Sequence, residues 1–256
     1  AGRTGLGAVM GSKNLKAIVV EGTQTIPLAN PEEMRKLAAD GYKEVVSKPS
    51  YPFWKRQGTM GTVDWCQENS TLPTYNFRQG VFSGAENING FTMEKMKVSN
   101  RGCPQCNMTC GNIVKDSEGK DAEVDYENVA MLGSNIGVSD LAEVATLNRL
   151  ADEFGLDTIS LGNVLGFAME ASEKGLIPQK IHWGNVTEVK ALIKDIAYRR
   201  GFGDVLAEGV RSAAASIGNG ATDWAMHVKG LEVSAYDCHL APGMALAYGT
   251  SSIGAH

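Results

Sequence analysis

The chain has 256 residues, of which 43% are hydrophobic and 21% charged, and it carries a net charge of −5. That is enough chain to bury a substantial core, in one large domain or two smaller ones. The acidic balance and the lack of a basic stripe argue against a nucleic-acid-tracking role, and no apolar run approaches the roughly 18 residues of a membrane span or follows a signal-peptide pattern.

Residues 3–13 place Gly5, Gly7 and Gly11 ahead of an apolar stretch, Ala17, Ile18, Val19 and Val20, which reads as a strand. Glycines so placed let backbone N–H groups approach a ligand. Neither phosphate-loop spacing is present, so a plain glycine-rich hairpin stands as the alternative. Asn30, Pro31, Glu32 and Glu33 mark a helix start, with an N-cap, a first-turn proline and acids at the positive dipole end; the helix is predicted to run to about Val46. Residues 49–90 read as irregular and aromatic, with Tyr51, Phe53, Trp54, Trp65, Tyr75, Phe77 and Phe82. A connection of that composition lines something or packs over it.

Cys103, Cys106 and Cys110 follow in a C-x2-C-x3-C turn closed by Gly111. Three thiolates at this spacing can wrap one face of an iron-sulfur cube, which takes four cysteines as a rule. Zinc is the competing metal, although the second ligand pair of a zinc ribbon is absent. Merely reduced, buried thiols are a third reading. Disulfides fit least, because five cysteines leave one over. Cys66 and Cys238 are the remaining internal thiols, and neither lies in a comparable loop.

Beyond the cysteines the text turns helical. Ser139 is a candidate cap for a helix carrying Leu141, Val144, Leu147, Leu150, Ala151 and Phe154, with Gly155 as its stop. Further helices are predicted from Thr158 to Gly175, from Thr187 to Gly201, and from Asp204 through Val210 to Ile217. The turn at Gly155 can bring Asp152 and Asp157 to one pocket, where paired carboxylates suit an N–H-rich ligand edge such as that of a pterin. The plainer reading is that Asp157 caps a helix and Asp152 is solvated. Both ends of the text fall inside patterned sequence, so the chain reads as the middle of a longer protein.

Four stretches taken together resemble the tungsten-containing aldehyde ferredoxin oxidoreductase family. They are residues 3–18; Gly58 and Thr59 followed by residues 72–77; the Cys103, Cys106 and Cys110 loop; and the Asp152-x-x-Gly155-Leu156-Asp157 motif. The resemblance implies a mainly α fold (α+β overall), in which the tail of an N-terminal β domain precedes aldehyde ferredoxin oxidoreductase-type helical domains. Residues 1–25 would end the β domain, 26–220 would form the first helical domain with the iron-sulfur loop, and 221–256 would begin the second. It further implies a [4Fe-4S] cluster on Cys103, Cys106 and Cys110 whose fourth ligand lies outside the chain. A tungsten (or molybdenum) bis-pterin would be held through Arg3, Thr4, Gly5, Asp152 and Asp157, with Mg2+ bridging its phosphates.

The family places a glutamate near the metal, which carries over to Glu127, with Glu123 as a nearby competitor. It also places a histidine there, after a Thr-Ser-x-Arg-Gly-x-x-His pattern. Here Ile253 stands in place of that arginine and His256 falls one position early, so either His256 has moved into the role or the next residue fills it. Residues 227–250 look closer to the tungsten subunit of class II benzoyl-CoA reductase. The implied activity is aldehyde oxidation to carboxylate, with ferredoxin or another low-potential carrier as acceptor. Aromatic ring reduction of an aryl-CoA is the alternative, and a non-catalytic iron-sulfur or zinc protein the third. A reducing, cytoplasmic setting and an oligomer or larger complex complete the expectation.

Overall fold

A computed structural model describes Arg3 and residues 5–255 of the chain; Thr4 and His256 lie outside the described residues. Helices dominate, as expected. The glycine-rich start forms a helix, α1 (Leu6–Ser12), and Ala17 to Val20 form no strand. Ile18, Val19 and Val20 are 69%, 92% and 85% exposed. A strand needs a neighbour to satisfy its backbone, and no other described segment pairs with this one. The helix α2 (Pro31–Ser47) starts as predicted, with Asn30 Oδ1 accepting from the Glu33 N–H at 3.1 Å.

The stretch expected to be irregular contains two short helices, α3 (Tyr51–Gln57) and α4 (Thr62–Glu68). Farther along it Tyr75, Asn76 and Phe77 are left-handed, at φ 50, 58 and 60. Their N–H groups are held by Ser134 O, Asn135 O and Asn135 Oδ1, and Asn76 Nδ2 donates to the buried Glu170 at 2.7 Å. Three consecutive non-glycine residues keep this conformation only where cross-chain bonds over-determine it.

A short helix, α5 (Gly90–Met96), leads into an antiparallel sheet of β1 (Lys97–Arg101), β2 (Gly111–Lys115) and β3 (Asp121–Val124), in that order. The region after the cysteines is therefore sheet before it is helix, because Arg101 pairs with Gly111 and Asn112 with Val124. The cysteine loop, residues 102–110, is the connection between β1 and β2.

The core lies around α6 (Tyr126–Leu132), α7 (Leu141–Phe154) and α8 (Thr158–Glu173). Residues 161–172 of α8 are all buried, and a β-carbon on Gly162 would come within 2.5–2.6 Å of Met131, so only glycine lets α6 and α8 cross this closely. Asp140 caps α7 in place of Ser139, accepting from Ala142 and Glu143 N–H groups at 2.8 and 3.3 Å. Asn185 caps α9 (Val186–Ala197) by accepting from the Glu188 N–H. The last predicted helix is two, α10 (Phe202–Leu206) and α11 (Gly209–Ile217), broken where Gly209 takes φ 83. A two-stranded ribbon, β4 (His227–Val228) and β5 (Leu231–Glu232), and α12 (Pro242–Thr250) complete the chain. Among the described residues, no helix is long and apolar enough to cross a membrane.

Candidate active site and cofactor cavity

Helix ends build the site. The α7–α8 turn is closed by Gly155 at φ 68, which brings the end of α7 beside the start of α8. Asp157 caps α8 through the Ile159 N–H at 3.0 Å, so the plain capping reading holds. The same carboxylate also takes a second role, since its Oδ2 accepts from Arg3 Nε at 2.8 Å. Arg3 donates in addition to Ala255 O (3.1 Å), Ser160 Oγ (3.1 Å) and Glu232 O (2.9 Å). The guanidinium, with its side chain 7% exposed, thus ties the first described residue to α8, to β5 and to the last described residue.

Arg3 and Asp157 form one wall of a cavity of about 410 Å3 whose lining includes Glu123, Asp125, Glu127 and Asp152. Two carboxylates expected to share a pocket do share it, although Asp152 is exposed on its outer rim. Asp125 caps α6 in a reciprocal bond with Asn128, and Glu127 lies in the first turn of that helix, its Oε2 accepting the Ala235 N–H at 2.9 Å. Burial pushes the Glu127 carboxyl up to about 7; Asp125 and Asp157 add repulsion, while the Ala235 N–H and Arg3 act against it. Burial raises Asp125 as well. A group near 7 exchanges a proton readily at neutral pH.

The lining tests the expected cofactor. Five carboxylates against one engaged guanidinium make an acceptor-rich wall, which fits the amine and ring N–H edge of a pterin and does not fit a bare phosphate.

Cys103, Cys106 and Cys110 are exposed in the loop, and among the described residues no group of three His, Cys, Asp or Glu side chains is held in ligating geometry. The loop nevertheless adjoins the cavity. A β-carbon on Gly111, next to Cys110, would strike Glu123, and Glu123 pairs with Arg101 at 2.9 Å. Asn112 Nδ2 donates to Gln57 O (2.9 Å) and to Cys110 O (3.3 Å), and Tyr51 Oη donates to Asn107 O (3.0 Å). Gly58, at φ 57, lies directly against the Cys110 carbonyl. Gly58→Ala therefore meets both strain and a backbone clash; a loss of about 1–3 kcal/mol is expected, read as a lower denaturation midpoint together with faster amide exchange over residues 102–112.

The other thiols lie elsewhere. Cys66 is buried in α4 with its sulfur 3.0 Å from the Tyr126 hydroxyl, which donates to Ala235 O. Cys238 lines an apolar cleft of about 350 Å3 with Phe77, Met226, Val228, Val233 and Tyr248. Gly5 starts α1 and is exposed; Thr4 and His256 fall outside the described residues. Sequence reasoning passed over Asp125, Ser160 and Glu232. Asp125 had a local signal, an Asx residue three before Asn128 at the head of an apolar run; Ser160 and Glu232 had none, because only the fold brings them to Arg3.

Comparison with known proteins gives one family. A family model described as aldehyde ferredoxin oxidoreductase, domains 2 and 3, matches residues 36–256. The tungsten-containing aldehyde ferredoxin oxidoreductase of Pyrococcus furiosus is 39% identical over 264 residues, spanning 99% of this chain and 43% of its own length. That of Pyrococcus abyssi is 40% identical over 266 residues, spanning 99% and 44%. The WOR-like subunit of the aliphatic sulfonate oxidoreductase of Pyrococcus furiosus is 34% identical, over 92% of this chain and 40% of its own. Among solved structures, the active site complex BamBC of benzoyl coenzyme A reductase with 1,5-dienoyl-CoA superposes with a TM-score of 0.76 at 29% identity, covering 91% of this chain and 38% of that one. The chain spans less than half the length of these relatives, and it belongs to the aldehyde ferredoxin oxidoreductase family.

Proposed function

We propose that the chain is the helical part of a tungsten-pterin oxidoreductase that converts aldehydes to carboxylates and passes the electrons to ferredoxin or a similar low-potential carrier. The observation that carries this reading is the contact between the cysteine loop and an acceptor-rich cavity: Glu123 lines the cavity, abuts Gly111 beside Cys110 and pairs with Arg101. In this reading Asp152 and Asp157 accept from the pterin edge, Arg3, Thr4 and Gly5 are assigned to the same cofactor, and Cys103, Cys106 and Cys110 ligate a [4Fe-4S] cluster.

When bound, the tungsten-pterin group supplies the two-electron acceptor. Glu127 does the proton work: ionised above about pH 7, it takes a proton from water or its adduct on the aldehyde, while the Ala235 N–H holds the carboxylate in place. Segment 233–238 carries that N–H and also lines the apolar cleft with Val233 and Cys238, so the organic chain of the substrate has an apolar bed close to the base. His256 is assigned a second proton role, and a reducing cytoplasm suits the three exposed thiols.

Ring reduction of an aryl-CoA is the second reading, favoured by the superposition on benzoyl coenzyme A reductase and by Ile253 in place of the family arginine. Metal analysis of the full-length protein, paired with assays on an aldehyde panel and on benzoyl-CoA, separates the readings. Iron near four per chain with tungsten and aldehyde turnover is expected. Cys106→Ser should lower iron content and abolish ferredoxin reduction; zinc alone, or no turnover on either substrate, would end the proposal.

A further inference from the structure

Charges of both signs flank the cysteine loop. On the cavity side stand Glu123, Asp125, Glu127, Asp152 and Asp157. Beside the loop, α3, the last turn of α5 and the free edge of β1 present Lys55, Arg56, Lys95, Lys97 and Arg101, in a chain whose net charge is −5.

These cations form one surface with the loop. Lys97 Nζ donates to Arg56 O at 2.6 Å, and Asn100 Nδ2 bridges Lys55 O (3.3 Å) to Thr109 O (3.2 Å) inside the loop. Arg101 is the residue immediately before the loop, its side chain 71% exposed, and Arg56 is 52% exposed. Lys55, which lies over the Tyr51 ring at 5.7 Å, and Lys95 are exposed as well. Glu94 pairs with Arg56, and Glu123 with Arg101, which leaves an excess of positive charge beside three exposed thiols. The neighbouring helix α2 together with its C-cap Lys48 adds no net charge, with Glu32, Glu33, Asp40 and Glu44 matched by Arg35, Lys36, Lys43 and Lys48.

We propose that the outer edge of β1, the last turn of α5, the C-terminal half of α3 and the tip of the cysteine loop together form the docking surface for an acidic one-electron carrier protein. This rests on the oxidoreductase reading above and names the place where its electrons leave. A small, charge-steered and salt-sensitive contact is what a transient electron-transfer encounter requires: it accelerates association without holding the partner after transfer. Edge lysines also guard β1 against strand pairing with another chain, so the partner is recognised by side-chain charge and not by added strands.

The test uses the full-length, cofactor-loaded protein and a small acidic ferredoxin as the probe. Lys55→Glu with Lys95→Glu reverses two rim charges; Lys180→Glu with Lys194→Glu makes the same net change on the face of α9 and the segment before it. Two quantities are read as salt is varied: ferredoxin affinity by calorimetry, and aldehyde turnover with either ferredoxin or a small viologen dye as acceptor. The rim variant is expected to weaken affinity and ferredoxin-coupled kcat/KM by about tenfold or more at low ionic strength. That gap should narrow at high salt, with dye-coupled turnover and the α9 control within twofold of wild type. An equal loss in the control, or no loss of affinity in the rim variant, overturns the docking surface. Equal loss with the dye also overturns it, by showing that the rim acts on the centre itself. Competition of free coenzyme A with ferredoxin would reassign the rim as a polyphosphate site. A wild type that shows no dye-coupled turnover but binds ferredoxin salt-sensitively through the rim would fail the oxidoreductase reading and leave the surface standing.

Discussion

Glu127→Gln in the loaded full-length protein is expected to lower aldehyde turnover by about 10²- to 10⁴-fold, the usual contribution of a positioned proton acceptor. The amide keeps the shape of the side chain, and its carbonyl oxygen still accepts the Ala235 N–H, so the lost quantity is the proton site alone. Wild-type turnover should rise as pH increases through about 7, where Glu127 ionises, and the variant should lose that limb. A flat wild-type profile with an active Gln variant would remove Glu127 from the chemistry.

Stability should move in the opposite direction. Burial raises the folded-state value of Glu127 above the ordinary carboxylate range. Its contribution is therefore fully present below about pH 4.5 and is lost as pH rises through about 7. Charging the buried acid costs at most about 3 kcal/mol, so Glu127→Gln should resist denaturant better than wild type at pH 8 and no better at pH 4. The group proposed for the proton work is thus one that the fold holds at a cost.

Arg149→Met is expected to destabilise the protein by about 3–5 kcal/mol, the largest stability effect anticipated from one substitution here. Arg149 Nε bonds the Asp116 carboxylate at 2.6 Å, with the Asp116 side chain wholly buried and that of Arg149 9% exposed. Asp116 also accepts from the Glu118 and Lys120 N–H groups at 2.9 and 2.8 Å, which shapes the β2–β3 turn and pins it to α7. Removing the cation leaves a buried carboxylate without its counter-charge. The outer bonds of Arg149, to Glu118 and Glu153, involve carboxylates 44% and 52% exposed and add little.

Burial would raise Asp116, but the bonds from Arg149 and the two backbone N–H groups outweigh it and hold the carboxyl below its usual range. Its contribution is present above about pH 4 and disappears as pH falls through the lower folded-state value. The gap in denaturation midpoint between wild type and Arg149→Met should accordingly shrink in acid. Adding Asp116→Asn should restore much of the loss at neutral pH, because the amide oxygen still accepts the turn N–H groups. Equal stability of wild type and Arg149→Met at pH 7 would show that the pair holds nothing.

Local signals were legible where one segment decides the outcome. Asn30 and Pro31 announced α2, the apolar spacing from Leu141 to Phe154 announced α7, and Gly155 marked the turn that brings Asp152 and Asp157 together. The cysteine spacing marked the loop, and the four motifs identified the family. Segments whose state depends on partners were read wrongly: Ala17 to Val20 have strand composition but no described neighbour, while β1 to β3 form from ordinary text because they pair with one another.

What the sequence determined by itself was the inventory: an acidic, mainly helical chain, three thiols at cluster spacing, and two aspartates set to share a turn. These depend on residue type, capping and periodicity, which act over a few positions. Only the tertiary structure decided that Arg3 closes on Asp157, Ser160, Glu232 and Ala255, that Glu127 is buried enough to titrate near 7, and that cavity carboxylates and a group of lysines and arginines both flank the cysteine loop. Those properties arise from burial and from charges brought together across more than a hundred residues of chain, and short-range pattern carries no information about either.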